Sequence, residues 1–214
     1  MTEAELHVVF GTGQVGSALA THLTGLGLAV RAVSRHRPAA LPGGVDWRAA
    51  DVTDAEAAVG AAKGASAVYQ CLNAPYTHTP IHPYTHTPSG PSASLPLAAT
   101  TVKGRTRAAM TAELLAAAEA GRIRFAIGRA SDFFGAGVTD GTTLGERVFG
   151  NALAGRRADF IGKPDLPHTY SYVPDIAAGL ATLGTDARAA GQVWHLPGPE
   201  TVTTQTLALR PGHH

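Results

Sequence analysis

Three observations predict an α/β fold built on a doubly wound parallel sheet. Short apolar stretches alternate with helical stretches from residue 5 to residue 72, a glycine-rich turn joins the first pair, and the alternation resumes near residue 103 after an irregular interval. With 214 residues, 44% of them hydrophobic, the chain has material for one substantial core and is read as one domain over 1–214.

The first strand is expected at 5–10, where Val8, Val9 and Phe10 lead directly into Gly11, Thr12, Gly13, Gln14, Val15 and Gly16. A helix is expected at 14–25, because Val15, Ala18, Leu19, Leu23 and Leu26 form a stripe of 3.6-residue period. Glycines at this spacing suit a dinucleotide pyrophosphate. Gly11 permits a tight turn, Gly13 keeps a Cβ out of the path of the phosphates, and Gly16 lets the helix lie close to the strand. The free N–H groups and positive dipole end of the helix then face the ligand. The six residues from Gly11 to Gly16 are the candidate pyrophosphate contacts; the plainer alternative is a strand-to-helix turn without a ligand.

The second strand, 29–34, ends about twenty residues past the glycines, where such a sheet reads the adenosine ribose. An acid there would favour NAD, but this chain has Ser34, Arg35, His36 and Arg37. A guanidinium forks onto a 2′-phosphate that a carboxylate would repel, so Ser34 and Arg35 are candidate contacts and the expected cofactor is NADP, with NAD second. Against this stands the reading of Arg35 and Arg37 as solvated loop residues. A third strand at 45–49 is followed by Asp51 and Val52, placed for the adenine ring. Asp51 and Asp54 serve equally well as caps for a helix at 54–63. The fourth strand is expected at 66–72, and Cys71 within it reads as a small buried hydrophobe rather than a nucleophile.

Regularity then fails. Residues 73–102 contain six prolines and repeat one hexapeptide, Pro75-Tyr-Thr-His-Thr-Pro80 and Pro83-Tyr-Thr-His-Thr-Pro88, which forbids a helix or a central strand. His78, His82 and His86 would share a face on a helix, but without one the interval is a loop and no metal site is expected. Beyond it lie a helix at 103–120, a strand at 123–128, a helix around 144–154, strands near 158–161 and 168–173, a helix at 174–183 and a strand at 192–196. Lys103, Met110, Leu114 and Ala117 share a stripe on the first of these helices, which points Lys103 inward.

Net charge is +1 and the seventeen basic residues are dispersed, so nucleic acid and anionic membrane are not expected partners. With no signal peptide, no apolar membrane-length run and a single cysteine, the expected setting is the cytoplasm. Oligomeric state is not legible.

With these residues in view, the chain resembles an extended short-chain dehydrogenase/reductase of the NAD-dependent epimerase/dehydratase family, with a Rossmann-type sheet. Besides the glycine turn, the resemblance rests on Asn73 after the fourth strand and on Arg129-Ala-Ser-Asp-Phe-Phe-Gly135, similar to the family's Arg-Pro…Tyr-Gly-Pro loop. It rests also on Tyr170-Ser-Tyr-Val-Pro-Asp175-Ile-Ala, and on Trp194-His195-Leu196-Pro-Gly198, similar to the late strand and turn that close the substrate lobe. The resemblance implies that Asn73 and Lys103 join the cofactor contacts, with Lys103 as the catalytic lysine of a Tyr-x-x-x-Lys pair. Residues 129–214 become a reduced substrate lobe, in which Phe133, Phe134 and His168 face a small-molecule substrate.

Two departures matter. Ala99 stands where the pair's tyrosine belongs, and between residue 72 and Lys103 the family's helix and fifth strand, with its Ser or Thr, are missing. Hydride transfer at carbon needs a matched proton on oxygen from a group whose pKa reaches the working pH, and alanine has none. Tyr76 and Tyr84 have no secondary structure to hold them, and Thr100 or Thr101 is too weak an acid. The expected function is an oxidoreductase or epimerase acting on a carbonyl, alcohol or sugar nucleotide with impaired catalysis; the alternative is a non-catalytic NADP-binding sensor or interaction protein. With the fifth strand gone, the fourth strand is expected to pair directly with 123–128.

Overall fold

A computed structural model describes residues 5–72, 102–138, 142, 144–160, 162–198 and 200–209. Its centre is a four-stranded parallel sheet in the order β3-β2-β1-β4, formed by β1 (Leu6–Phe10), β2 (Ala29–Ser34), β3 (Asp46–Ala49) and β4 (Ala67–Gln70). The outermost position of β3 and the reversal of direction at β1 are those of a doubly wound sheet.

Successive strand residues point to opposite faces, and both faces of β1 are apolar, so each needs a cover. On one face Val9, Val30 and Tyr69 pack with Leu19, Ala20 and Leu23 of α1 (Gln14–Gly25) and with Ala177 and Ala181 of the later helix α5 (Val173–Thr185). On the other face Val8, Phe10 and Val33 meet Ala58, Ala61 and Ala62 of α2 (Ala55–Ala62). Each fully buried valine or leucine here stabilises the fold by about 1.5–3 kcal/mol relative to exposure.

His7 is the polar exception in β1. It is buried, its Nδ1 lies 2.9 Å from Tyr69 Oη, and among the described residues its Nε2 meets no partner. Burial holds its imidazole below the ordinary value of 6.5, only partly offset by the charge of Glu5, and burial also pushes the Tyr69 phenol up to about 12. The unfolded chain therefore takes up a proton more readily than the folded one. Stability is full above the ordinary histidine value and is lost as pH falls through about 6.5 toward the depressed folded value. The thermal unfolding midpoint is expected to drop between about pH 7.5 and pH 5.5, and the slope to flatten in His7→Gln; an unchanged slope in that variant would assign the acid sensitivity to other groups.

The second half begins with α3 (Val102–Glu119), so the irregular interval ends before residue 102. Here the sequence expectation needs correction. Met110 and Leu114 are 44% and 38% exposed, so the stripe carrying them is not an inward face. Alanine, threonine and charged residues dominate α3, leaving too little apolar contrast to define a buried side.

Then come β5 (Ala126–Arg129) and β6 (Asp132–Phe134), a six-residue π-helical turn at Gly145–Gly150 running into α4 (Asn151–Leu153), β7 (Pro167–His168), β8 (Tyr170–Tyr172) and α5. A short 3₁₀ turn, β9 (Gln192–His195), β10 (Val202–Thr203) and α6 (Thr204–Leu209) follow. The helix expected at 144–154 is thus mostly π-helical. Residues 158–160 form no strand; Asp159 N–H instead donates to the Arg147 carbonyl and its carboxylate pairs with the Arg147 guanidinium.

The expected direct pairing of the fourth strand with 123–128 does not form. β4 hydrogen-bonds to β1, β5 pairs with β9 in parallel, and among the described residues no strand lies between them in sequence. Helix α5 spans the two units instead. A Cβ at Gly184 would sit on the Tyr69 ring, and one at Gly128 of β5 would touch Leu180 and Leu183, so glycines bring this helix close to both strands. The apolar gain of covering Tyr69 and β5 together replaces the missing hydrogen-bonded ladder.

Candidate functional site

The carboxyl ends of β1, β2 and β4 converge on the glycine turn. Gly11 has φ of +92°, a conformation costly for any other residue, and its N–H donates to the Val33 carbonyl at 2.9 Å, tying the turn to the end of β2. A Cβ at Gly16 would lie 1.8 Å from the Gly11 carbonyl oxygen. Only glycine lets α1 come this near.

Gly13 differs. A Cβ there would meet no atom within 4 Å, so the protein itself does not require glycine at this position. It is the N-cap of α1, no side chain caps the helix, and no acid stands in the first turn. Thr12 is held from behind, its carbonyl accepting from Ser17 Oγ at 2.9 Å, and Ser17 N–H donates to the Gly13 carbonyl at 2.8 Å. The result is a fixed turn at the positive end of α1, which no side chain caps and where negative charge is favoured.

At the end of β2, Ser34 is tightly held. Trp47 Nε1 of β3 donates to Ser34 Oγ at 3.1 Å, while Ser34 Oγ donates to the His36 carbonyl at 2.8 Å. The Arg37 guanidinium lies 5.9 Å from the centroid of the Trp47 ring, within the range of a cation–π contact. Sequence reading passed over Trp47. Its only signal was an aromatic side chain in the strand next to the basic turn.

Asp51 Oδ1 accepts from both the N–H and the Oγ1 of Thr53, and these bonds, aided by the positive charge of Arg35, hold its carboxyl below the usual range. Asp54 caps α2 through the amides of Glu56 and Ala57. The capping alternative thus applies to Asp54, while Asp51 shapes the turn before it with Val52 half-buried against the α2 face. Cys71 is half-buried against the core, and desolvation pushes its thiol up to about 12, as expected of a hydrophobe rather than a nucleophile.

The candidate substrate residues lie four and more residues past the end of β5. β6 and β8 pair in parallel, setting Asp132 opposite Tyr170 and Phe134 opposite Tyr172. His168 Nε2 lies 3.1 Å from Asp132 Oδ2, and its ring centroid is 4.6 Å from that of Tyr170. Phe134 packs with the buried Leu144, Val148 and Tyr170, so it serves the core of the lobe; Phe133 is half-buried. Gly198 abuts Thr169 and the Tyr170 carbonyl, which places the late turn against β8. Asp132, the partner of His168, is 36 residues away in sequence and joins it only through strand pairing. Asn73 and the repeat carrying His78, His82 and His86 lie outside the described residues, as do Tyr76, Tyr84, Ala99, Thr100 and Thr101; Lys103 is placed by its backbone in the first turn of α3.

The sequence matches no protein-family model and no curated protein. Solved structures match closely in shape. An epimerase from Methanothermobacter thermautotrophicus superposes with a TM-score of 0.80 at 14% identity, over 96% of this chain and 75% of that one. A dTDP-glucose 4,6-dehydratase from Bacillus anthracis, in complex with NAD, gives 0.77 at 12% identity, over 96% and 79%. A short-chain dehydrogenase/reductase superfamily protein from Agrobacterium tumefaciens, with bound NAD, gives 0.72 at 19% identity, over 95% and 81%.

The chain has the extended short-chain dehydrogenase fold. Within that fold the glycine turn is the first strand-to-helix crossing, at the carboxyl ends of the strands where open α/β sheets take their ligands. Among the described residues no helix is long and apolar enough to cross a membrane.

Proposed function

We propose that this chain is a cytoplasmic NADP-binding member of the epimerase/dehydratase branch of the short-chain dehydrogenases, an oxidoreductase or epimerase of a carbonyl, alcohol or sugar-nucleotide substrate with impaired catalysis. The observation that carries the reading is the uncapped N-terminus of α1 behind Gly13, with Arg35 and Arg37 just past the end of β2. Structural relatives crystallised with NAD support a nicotinamide dinucleotide, and one holds UDP-glucuronic acid beside it, which supports a small-molecule substrate of that kind. The amides of Thr12–Gly16 would hold the pyrophosphate, Arg35 the 2′-phosphate, and Lys103 and Asn73 the nicotinamide ribose. The cofactor would supply or accept the hydride.

Arg35 also sets the test. In Arg35→Ala the ratio of NADPH to NADH affinity is expected to fall by roughly 10- to 100-fold in calorimetric titration, the loss of a charge-assisted contact of about 1.5–3 kcal/mol. A ratio that survives the substitution would remove the case for NADP.

A further inference from the structure

We infer that Trp47 is the positioning residue of the 2′-phosphate clamp and that Arg37, not Ser34, is the clamp's second arm beside Arg35; the inference rests on the NADP reading above. A serine hydroxyl has one proton to give. In Ser34 that proton goes to the His36 carbonyl, and the oxygen accepts the Trp47 indole N–H, so Ser34 has no donor left for a phosphate. Its part is to fix the turn at 34–36.

The Arg37 guanidinium lies over the face of the same indole, 5.9 Å from its centroid and within cation–π range. A guanidinium resting on a ring face keeps its five N–H donors in its own plane, free to fork onto an anion. An exposed arginine otherwise loses rotamer freedom when it is fixed, and the indole takes up part of that ordering before the ligand arrives.

The neighbouring charges leave the clamp positive. Asp46, next to Trp47 on β3, is engaged by Arg31 at 2.9 Å and Arg48 at 3.1 Å. Asp51, near Arg35, is turned to Thr53. Among the described residues no carboxylate forms an ion pair with Arg37. Trp47 thus joins two functions through two parts of one ring system: its N–H sets the serine, and its face sets the arginine.

Calorimetric titration of the full chain with NADPH and with NADH tests this in Trp47→Leu, Trp47→Phe, Arg37→Gln and the Trp47→Leu/Arg37→Gln pair. Trp47→Leu and Arg37→Gln are each expected to weaken NADPH about tenfold and leave NADH unchanged, the pair to lose no more than either alone, and Trp47→Phe to retain most NADPH affinity through its ring face. Unchanged NADPH affinity in Trp47→Leu or in Arg37→Gln overturns the positioning role and leaves the NADP reading intact. Equal affinity of the unsubstituted protein for both nucleotides overturns that reading and this inference together. If Trp47→Leu loses both nucleotides, Arg37→Gln and Trp47→Phe decide: selective loss of NADPH in the former with retention in the latter supports the role, and parallel loss of both nucleotides in Trp47→Phe makes Trp47 a structural residue only.

Discussion

Valine at position 13 is expected to abolish NADPH binding without harming the fold, while valine three residues later harms the fold. At Gly13 the added side chain enters open space on the ligand side of the turn, and the backbone there is extended, with φ of −73° and ψ of −167°. Nothing in the protein resists it. A pyrophosphate held by the amides of α1 would meet it directly, so the dissociation constant should rise by more than about 100-fold, about 2.7 kcal/mol. At Gly16 the first added carbon lies 1.8 Å from a backbone oxygen, and no side-chain rotation relieves that. Overpacking of this kind costs about 1–3 kcal/mol, and the thermal midpoint should fall by roughly 5–10 °C. Circular dichroism melting with NADPH fluorescence titration separates the two. Normal binding by Gly13→Val, or loss of its folded spectrum, would show that Gly13 does not face the phosphates.

The contrast between these glycines explains what was legible in the sequence. The first 72 residues were readable almost element by element, because the apolar period switches between strand and helix there, and Gly11 and Gly16 have steric roles in the turn that only glycine fills. Legibility failed where an element depends on distant partners. The exposure of Met110 and Leu114 on α3 is one case, since periodicity marks a stripe but not whether anything covers it. The pairing of β5 with β9 rather than β4 is another, because four-residue strands 60 and more positions apart leave no local signal for their register. In the candidate site, the position of Ser34 and Arg35 at the end of β2 could be read from spacing alone. The Trp47–Ser34 bond and the Asp132–His168 pair could not, since each joins residues on separate strands.

Turnover by this chain is expected to be low even with NADPH bound. On the proposed reading Lys103, at the start of α3, would be the lysine of a Tyr-x-x-x-Lys pair, but the residue four positions earlier is Ala99. Alanine can neither give nor take the proton that must move on oxygen as hydride moves on carbon, and a positioned acid or base contributes 10²–10⁴ in rate, about 3–5 kcal/mol of barrier. By the family resemblance a Ser or Thr from a strand before α3 would polarise the carbonyl, and the sequence between residue 72 and Lys103 offers no such strand pattern. The measurement is NADPH consumption against a broad panel of aldehydes, ketones and sugar nucleotides, with Lys103→Ala and His168→Gln beside the unsubstituted protein. Rates near the uncatalysed background in all three agree with the expectation. Robust turnover lost in Lys103→Ala would show that another residue supplies the proton beside an intact lysine. Loss in His168→Gln as well would direct the search to the Asp132–His168 pair, where an imidazole nitrogen lies 3.1 Å from a carboxylate oxygen.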